Sequence, residues 1–196
     1  MKVRMPCVAG QFYEGEKETL LLQVAACLPE DTVTRRPARA LLVPHAGLLY
    51  SGRVAGKVYA SLTWTPTVLF LGPNHTGEGR PFGVTEAEKW RTPLGDVEVD
   101  RTRIASLLEK IPELETDDAA HRYEHALEVQ LPFLQVLSKS TKIVPITIGG
   151  RSPEAYLAFG SRLAEAIPQA GEVVVITSSD MTHYEPDQIV RTKDRY

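Results

Sequence analysis

Four short, unbroken apolar runs constrain this chain most. Residues 38–43 stop at Pro44-His45-Ala46-Gly47, 68–71 at Gly72-Pro73-Asn74-His75, 143–148 at Gly149-Gly150, and 173–176 just before Ser178-Ser179-Asp180. Runs without alternation read as strands covered on both faces, and helical patterns separate them. Leu20, Leu21, Val24 and Cys27 share helical spacing in 16–28, which Pro29 ends. Val54, Val58 and Leu62 define the next helical face, with Ser51 as its cap, and 153–167 forms another helix. The order predicts an α/β fold: a mainly parallel central sheet flanked by helices. Residues 82–86 and 96–100 read as more exposed strands. Thr92-Pro93-Leu94-Gly95 has the residues of a type I turn, which predicts an antiparallel excursion at the sheet's edge.

The 196 residues fit a single α/β domain spanning 1–196. Its last crossover, 186–196, stops inside its own first helix, as in a chain lacking its C-terminal part. With 43% hydrophobic and 24% charged residues, the chain can build a core, which excludes wholesale disorder. A net charge of −3 without long like-charge blocks argues against nucleic-acid and anionic-membrane partners. Two cysteines make no disulfide framework, and no apolar run is long enough for a membrane span, so a cytoplasmic location is expected. Gly-x-Gly-x-x-Gly, Gly-Lys-Ser/Thr and Gly-x-Ser-x-Gly motifs are missing, which removes the main support for nucleotide binding and serine hydrolysis.

The chemistry concentrates at strand ends. His45, His75 and His183 each follow a different apolar run, and ligands of open α/β sheets bind beyond the carboxyl ends of the strands. A parallel sheet would bring these distant residues to one edge. His45 reads as a metal ligand, a proton acceptor or a histidine packed under its loop, and His75 as a site residue or a turn residue beside Asn74. Asp180 and His183 are three apart, so on a helical turn the carboxylate would orient the imidazole; Asp180 as a helix N-cap is the alternative. His121 and His125 are four apart, a weak metal spacing, and His121 reads as a solvated helix start. Glu128 reads as a charge beside an apolar stripe, reaching solvent. Pro132 should kink or restart its helix, and Cys27 reads as core.

Six ordered motifs carry a resemblance: Val8-Ala9-Gly10-Gln11-Phe12-Tyr13, Val43-Pro44-His45-Ala46-Gly47, Leu71-Gly72-Pro73-Asn74-His75, Arg91-Thr92-Pro93-Leu94-Gly95, Glu124-His125-Ala126-Leu127-Glu128-Val129-Gln130-Leu131-Pro132-Phe133 and Ser178-Ser179-Asp180-Met181-Thr182-His183-Tyr184. Together they resemble the Memo family, which is similar in fold to the catalytic subunits of extradiol ring-cleaving dioxygenases. The resemblance implies that His45 and His75 are metal ligands, that His183 is the acid/base with Asp180 beside it, and that His125 lines the same pocket. It also implies iron(II) or copper as cofactor. The third ligand would be a downstream cysteine absent from this chain.

Two readings of function follow. In the first, a metal-dependent redox protein of dioxygenase type acts on a small-molecule substrate, with His183, Asp180 and His125 catalytic. The alternative is a non-catalytic module that binds peptides or small molecules in the same pocket. Phosphopeptides or a radical-SAM protein are the partners that the resemblance implies. Metal-assisted hydrolysis is a weaker third reading, for which two histidines, a carboxylate and a histidine base would suffice.

Overall fold

The computed structural model describes residues 2–167 and 171–195. Its strands are β1 (Val3–Arg4), β2 (Ala40–Val43), β3 (Thr67–Pro73), β4 (Phe82–Val84), β5 (Lys89–Thr92), β6 (Gly95–Glu98), β7 (Glu115–Thr116), β8 (Lys142–Ile148) and β9 (Val173–Ser178). Its helices are α1 (Lys17–Cys27), α2 (Leu48–Ala60), α3 (Arg101–Lys110), α4 (Ala119–Arg122), α5 (Leu131–Leu137), α6 (Pro153–Ala166) and α7 (Asp187–Lys193), with a 3-10 turn at Glu128–Gln130. Tyr196, the end of the expected last crossover, lies outside the described residues.

The main sheet runs β2-β9-β3-β8-β4-β7. β3 is parallel to both neighbours, so that Leu69 faces Val144 on β8 and Val175 on β9. β2 is parallel to β9. Residues 67–70 of β3 and 143–147 of β8 are all buried, as unbroken apolar runs require. This confirms the predicted α/β architecture and brings the carboxyl ends of β2, β9 and β3 side by side.

Several local expectations need correction. β2 is an edge strand bonded only to β9, so its run is not covered throughout: Leu42 is 56% exposed while Val43 is buried. β4 is fully buried, because it runs between β8, to which it is antiparallel, and β7, to which it is parallel, inside the main sheet. The β5–β6 hairpin, turning at Gly95 (φ +118°), belongs to a separate sheet of order β1-β5-β6 rather than to the main sheet's edge.

The buried face of α2 is Leu48, Ser51, Gly52, Ala55, Gly56 and Tyr59, not the face through Val54, which is 58% exposed. Close approach to α1 decides this: a Cβ on Gly56 would come within 2.1 Å of the Cys27 carbonyl oxygen. Backbone contact therefore overrides the larger side chains in choosing the face. Ser51 lies within the helix, whose N-cap is Gly47, and its hydroxyl donates to the Ala46 carbonyl. Pro132 does start α5, and Cys27 is core.

Candidate metal centre

Three loops deliver the site. His45 follows β2, His75 follows β3, and His125 lies between α4 and the 3-10 turn. Among the described residues, these three imidazoles form a group whose ligand atoms all lie within 4.8 Å of one another. Nitrogens each about 2.1 Å from a shared ion lie at most about 4.2 Å apart, so small side-chain adjustments would close the set. The rings of His75 and His125 stack at 4.5 Å and 21°, and the His45 ring stands edge-on to both, at 5.2 Å and 5.6 Å. Phe12 packs against the other partner of this stack, 4.6 Å from the His125 ring. Burial is graded: His45 is buried, His125 half-buried, and the His75 side chain 44% exposed.

Two carboxylates hold this arrangement. Glu124, almost completely buried, accepts from His75 Nδ1 at 2.9 Å, from the His75 backbone N–H, and from the Ala126 N–H at 2.8 Å. The same oxygen lies 3.5 Å from His125 Nδ1. A carboxylate only accepts, so His75 carries its hydrogen on Nδ1 and keeps a lone pair on Nε2. Burial would raise the Glu124 pKa, but the Ala126 N–H and the two bonds from His75 outweigh it and hold the carboxyl below its usual range. Asp180 accepts from the backbone N–H groups of His45 (2.6 Å) and Ala46 (3.2 Å), which ties the loop after β9 to the loop after β2. Burial lowers the pKa of His45, against the pull of Asp180, and burial also lowers that of His125. Both imidazoles are therefore neutral at neutral pH, the form that binds metals.

The structure brings His45, His75, His125 and Asp180 together but separates the expected Asp180–His183 pair. Residues 179–186 are not helical, so a spacing of three does not bring the two side chains onto one face. Asp180 serves the backbone at 45 and 46. His183 is exposed, bonds the Met181 carbonyl through Nδ1 at 2.8 Å and packs on Tyr184.

His121 is not a solvated helix start: it is 1% exposed, with Nε2 donating to the Gly83 carbonyl at 3.1 Å. Nor does Glu128 reach solvent. It is completely buried, pairs with Arg4, and accepts from the N–H groups of Cys7 and Val8 and from the Tyr13 hydroxyl. Sequence reasoning gave no role to Glu124, Gln130 or Ser178. Gln130 stood out only as a polar residue in an apolar stretch and Ser178 only by its strand end, while Glu124, between Tyr123 and His125, had no such mark.

A family profile described as "Memo-like protein" matches residues 4–196. A MEMO1 family protein of Archaeoglobus fulgidus is 45% identical over 197 residues, covering 98% of this chain and 72% of the relative. The corresponding protein of Aquifex aeolicus is 44% identical over 196 residues (99% and 72%), and that of Methanosarcina barkeri is 41% identical over 194 (98% and 72%). Among the described residues, no helix is long and apolar enough to cross a membrane. On the profile match and these identities, the chain belongs to the Memo family.

Proposed function

We propose that this protein binds iron(II) or copper through His45, His75 and His125, and that the centre serves redox chemistry of the dioxygenase type on a small molecule. The observation that supports the reading is the convergence of three imidazoles from three loops, two of them neutral by burial and one with its Nδ1 hydrogen fixed by a buried carboxylate. An all-nitrogen set with neutral ligands suits either metal. The family resemblance implies a cysteine as a further ligand.

A metal held there would supply one-electron or dioxygen-activating chemistry, while the chain's own groups bind, orient and move protons. Glu124 orients His75 and sits within reach of His125. Asp180 holds the backbone of His45. Phe12 shields one side of His125. His183 is the group to which this reading gives proton transfer: its Nδ1 hydrogen goes to the Met181 carbonyl, which only accepts, and Nε2 is left to take up a proton.

The test is metal content after loading the chain with iron(II) or copper(II) and removing excess ion. Stoichiometric metal is expected in the wild type and about 100-fold weaker binding in His45→Ala, the scale set by loss of an inner ligand or its support. Equal content in both would overturn the reading. Peptide binding that ignores both a chelator and His75→Ala would favour the non-catalytic module instead.

A further inference from the structure

A chain of buried hydrogen bonds behind His45 has only one consistent set of hydrogen positions. His45 Nδ1 lies 3.0 Å from the Ser178 hydroxyl oxygen, a contact that either atom could donate. The neighbours decide. The Gln130 side-chain atom 3.0 Å from the Pro44 carbonyl must be its nitrogen, because a carbonyl only accepts. Gln130 Oε1 then accepts from the Tyr59 hydroxyl at 2.7 Å. Gln130 Nε2 donates its second hydrogen to the Ser178 oxygen at 2.8 Å, much closer than the Ala126 carbonyl at 3.5 Å. Ser178 has a single hydrogen, and the Ala126 carbonyl, 2.6 Å away, takes it. The hydroxyl can then only accept from His45. All these side chains are buried: Tyr59 is fully enclosed, and Gln130 and Ser178 are each 1% exposed, so bulk water offers no alternative partners.

We infer that Ser178, with its hydroxyl direction fixed by Gln130 and the Ala126 carbonyl, is a positioning residue that locks His45 in the Nδ1–H tautomer and leaves Nε2 as its open lone pair. His45 Nε2 is 4.0 Å from Asp180 Oδ2, beyond hydrogen-bond reach, so this lone pair is not committed to the carboxylate. His75 reaches the same tautomer through Glu124. Two different devices, a charged carboxylate at the half-open end and a neutral hydroxyl chain at the buried end, thus present the same nitrogen.

The consequence for metal binding rests on the proposed metal centre; the tautomer does not. Nitrogen-15 histidine spectra of the metal-free full chain at neutral pH are expected to show His45 protonated at Nδ1 alone. In Ser178→Ala the Nε2–H form should appear. Cobalt(II) affinity, read from an absorbance titration, should fall by about 10- to 100-fold, as for other groups that orient metal-binding histidines. Ser178→Thr should restore both readings. Should Ser178→Ala fail to fold, Gln130→Met, which frees the hydroxyl to turn, shifts the same balance by a smaller factor.

An Nε2–H or mixed tautomer in the wild type would overturn the inference, as would a Ser178→Ala protein unchanged in both tautomer and affinity. A wild type locked at Nδ1–H that binds no cobalt would uphold the lock and sink the metal centre.

Discussion

The segment from Glu124 to Gln130 contributes to two polar clusters, and they differ in completeness. Around Glu128 everything is matched. One carboxylate oxygen takes the Tyr13 hydroxyl (2.6 Å) and the Val8 N–H (3.1 Å), and the other takes Arg4 and the Cys7 N–H (2.9 Å). Arg4 in turn donates to the carbonyls of His121 and Glu124 and stacks over Trp90 at 4.5 Å. Around His45, His75 and His125 the carboxylates are matched, but, among the described residues, Nε2 of His45 and of His75 makes no hydrogen bond. The His75 ring is 44% exposed, and neither Nε2 is committed to a protein group, so both are available to a ligand. The closed cluster is therefore built for stability and the open one for a ligand, although the same residue types supply both. Charge and burial alone do not separate a structural cluster from a functional one; leftover bonding capacity where a ligand can reach it does.

The largest expected effect tests the closed side. Glu128→Ala leaves the buried Arg4 guanidinium uncompensated and frees the loop from Cys7 to Tyr13, so a loss of about 3–5 kcal/mol is expected in urea denaturation. A loss below about 1 kcal/mol would mean that Arg4 finds another partner and that the cluster is not closed.

The next effect is a pH dependence carried by His121, whose carbonyl accepts from Arg4 and whose Nδ1 is buried without a partner among the described residues. Burial, with the nearby Arg4 charge, lowers its pKa from 6.5 to about 4; the Gly83 carbonyl, Asp117 and Asp118 pull the other way. Between these values the unfolded chain takes up a proton that the folded chain refuses. Stability is therefore complete above about pH 6.5 and falls as the pH drops toward 4, by about 3 kcal/mol in all. Denaturation midpoints measured across that range should show the slope in the wild type and lose this share of it in His121→Leu.

Smaller again is Tyr13→Phe, which removes one neutral donor from a charged acceptor. A cost of about 1.5–2 kcal/mol is expected, with Glu128 keeping Arg4 and its backbone donors. The ratio to Glu128→Ala shows how far one bond differs from the cluster as a whole.

The sheet and the strand-end histidines were legible because they depend on local pattern: an apolar run followed by a loop needs no knowledge of its neighbours. Partnerships were not. Arg4 and Glu128 lie 124 positions apart, and nothing around Glu128 announces a buried cation at the other end of the chain. A glutamate beside an apolar stripe can reach solvent or find a partner, and sequence spacing serves both outcomes equally. The Asp180–His183 pairing misled for a related reason. A spacing of three joins side chains only on a helix, and the loop after β9 is not helical; Tyr184 takes a left-handed backbone there, with φ 60°. The glycine-lined approach of α2 to α1 was hidden likewise, because periodicity weighs large apolar residues and ignores where two backbones must touch.

The smallest stability effect belongs to the open side and sharpens the contrast most. In metal-free protein, His75→Ala removes a half-exposed ring and one of several donors to Glu124. The Ala126 N–H and the backbone N–H at position 75 remain. A change under about 1 kcal/mol is expected, against several for Glu128→Ala, even though both substitutions strip a partner from a buried charged group. With cobalt(II) in excess, the wild type should melt at a higher temperature and the variant should not, since only a ligand bound to the folded state shifts the equilibrium. A large loss in the metal-free variant would place the histidine group among the structural clusters, and the distinction drawn from unmatched lone pairs would fail with it.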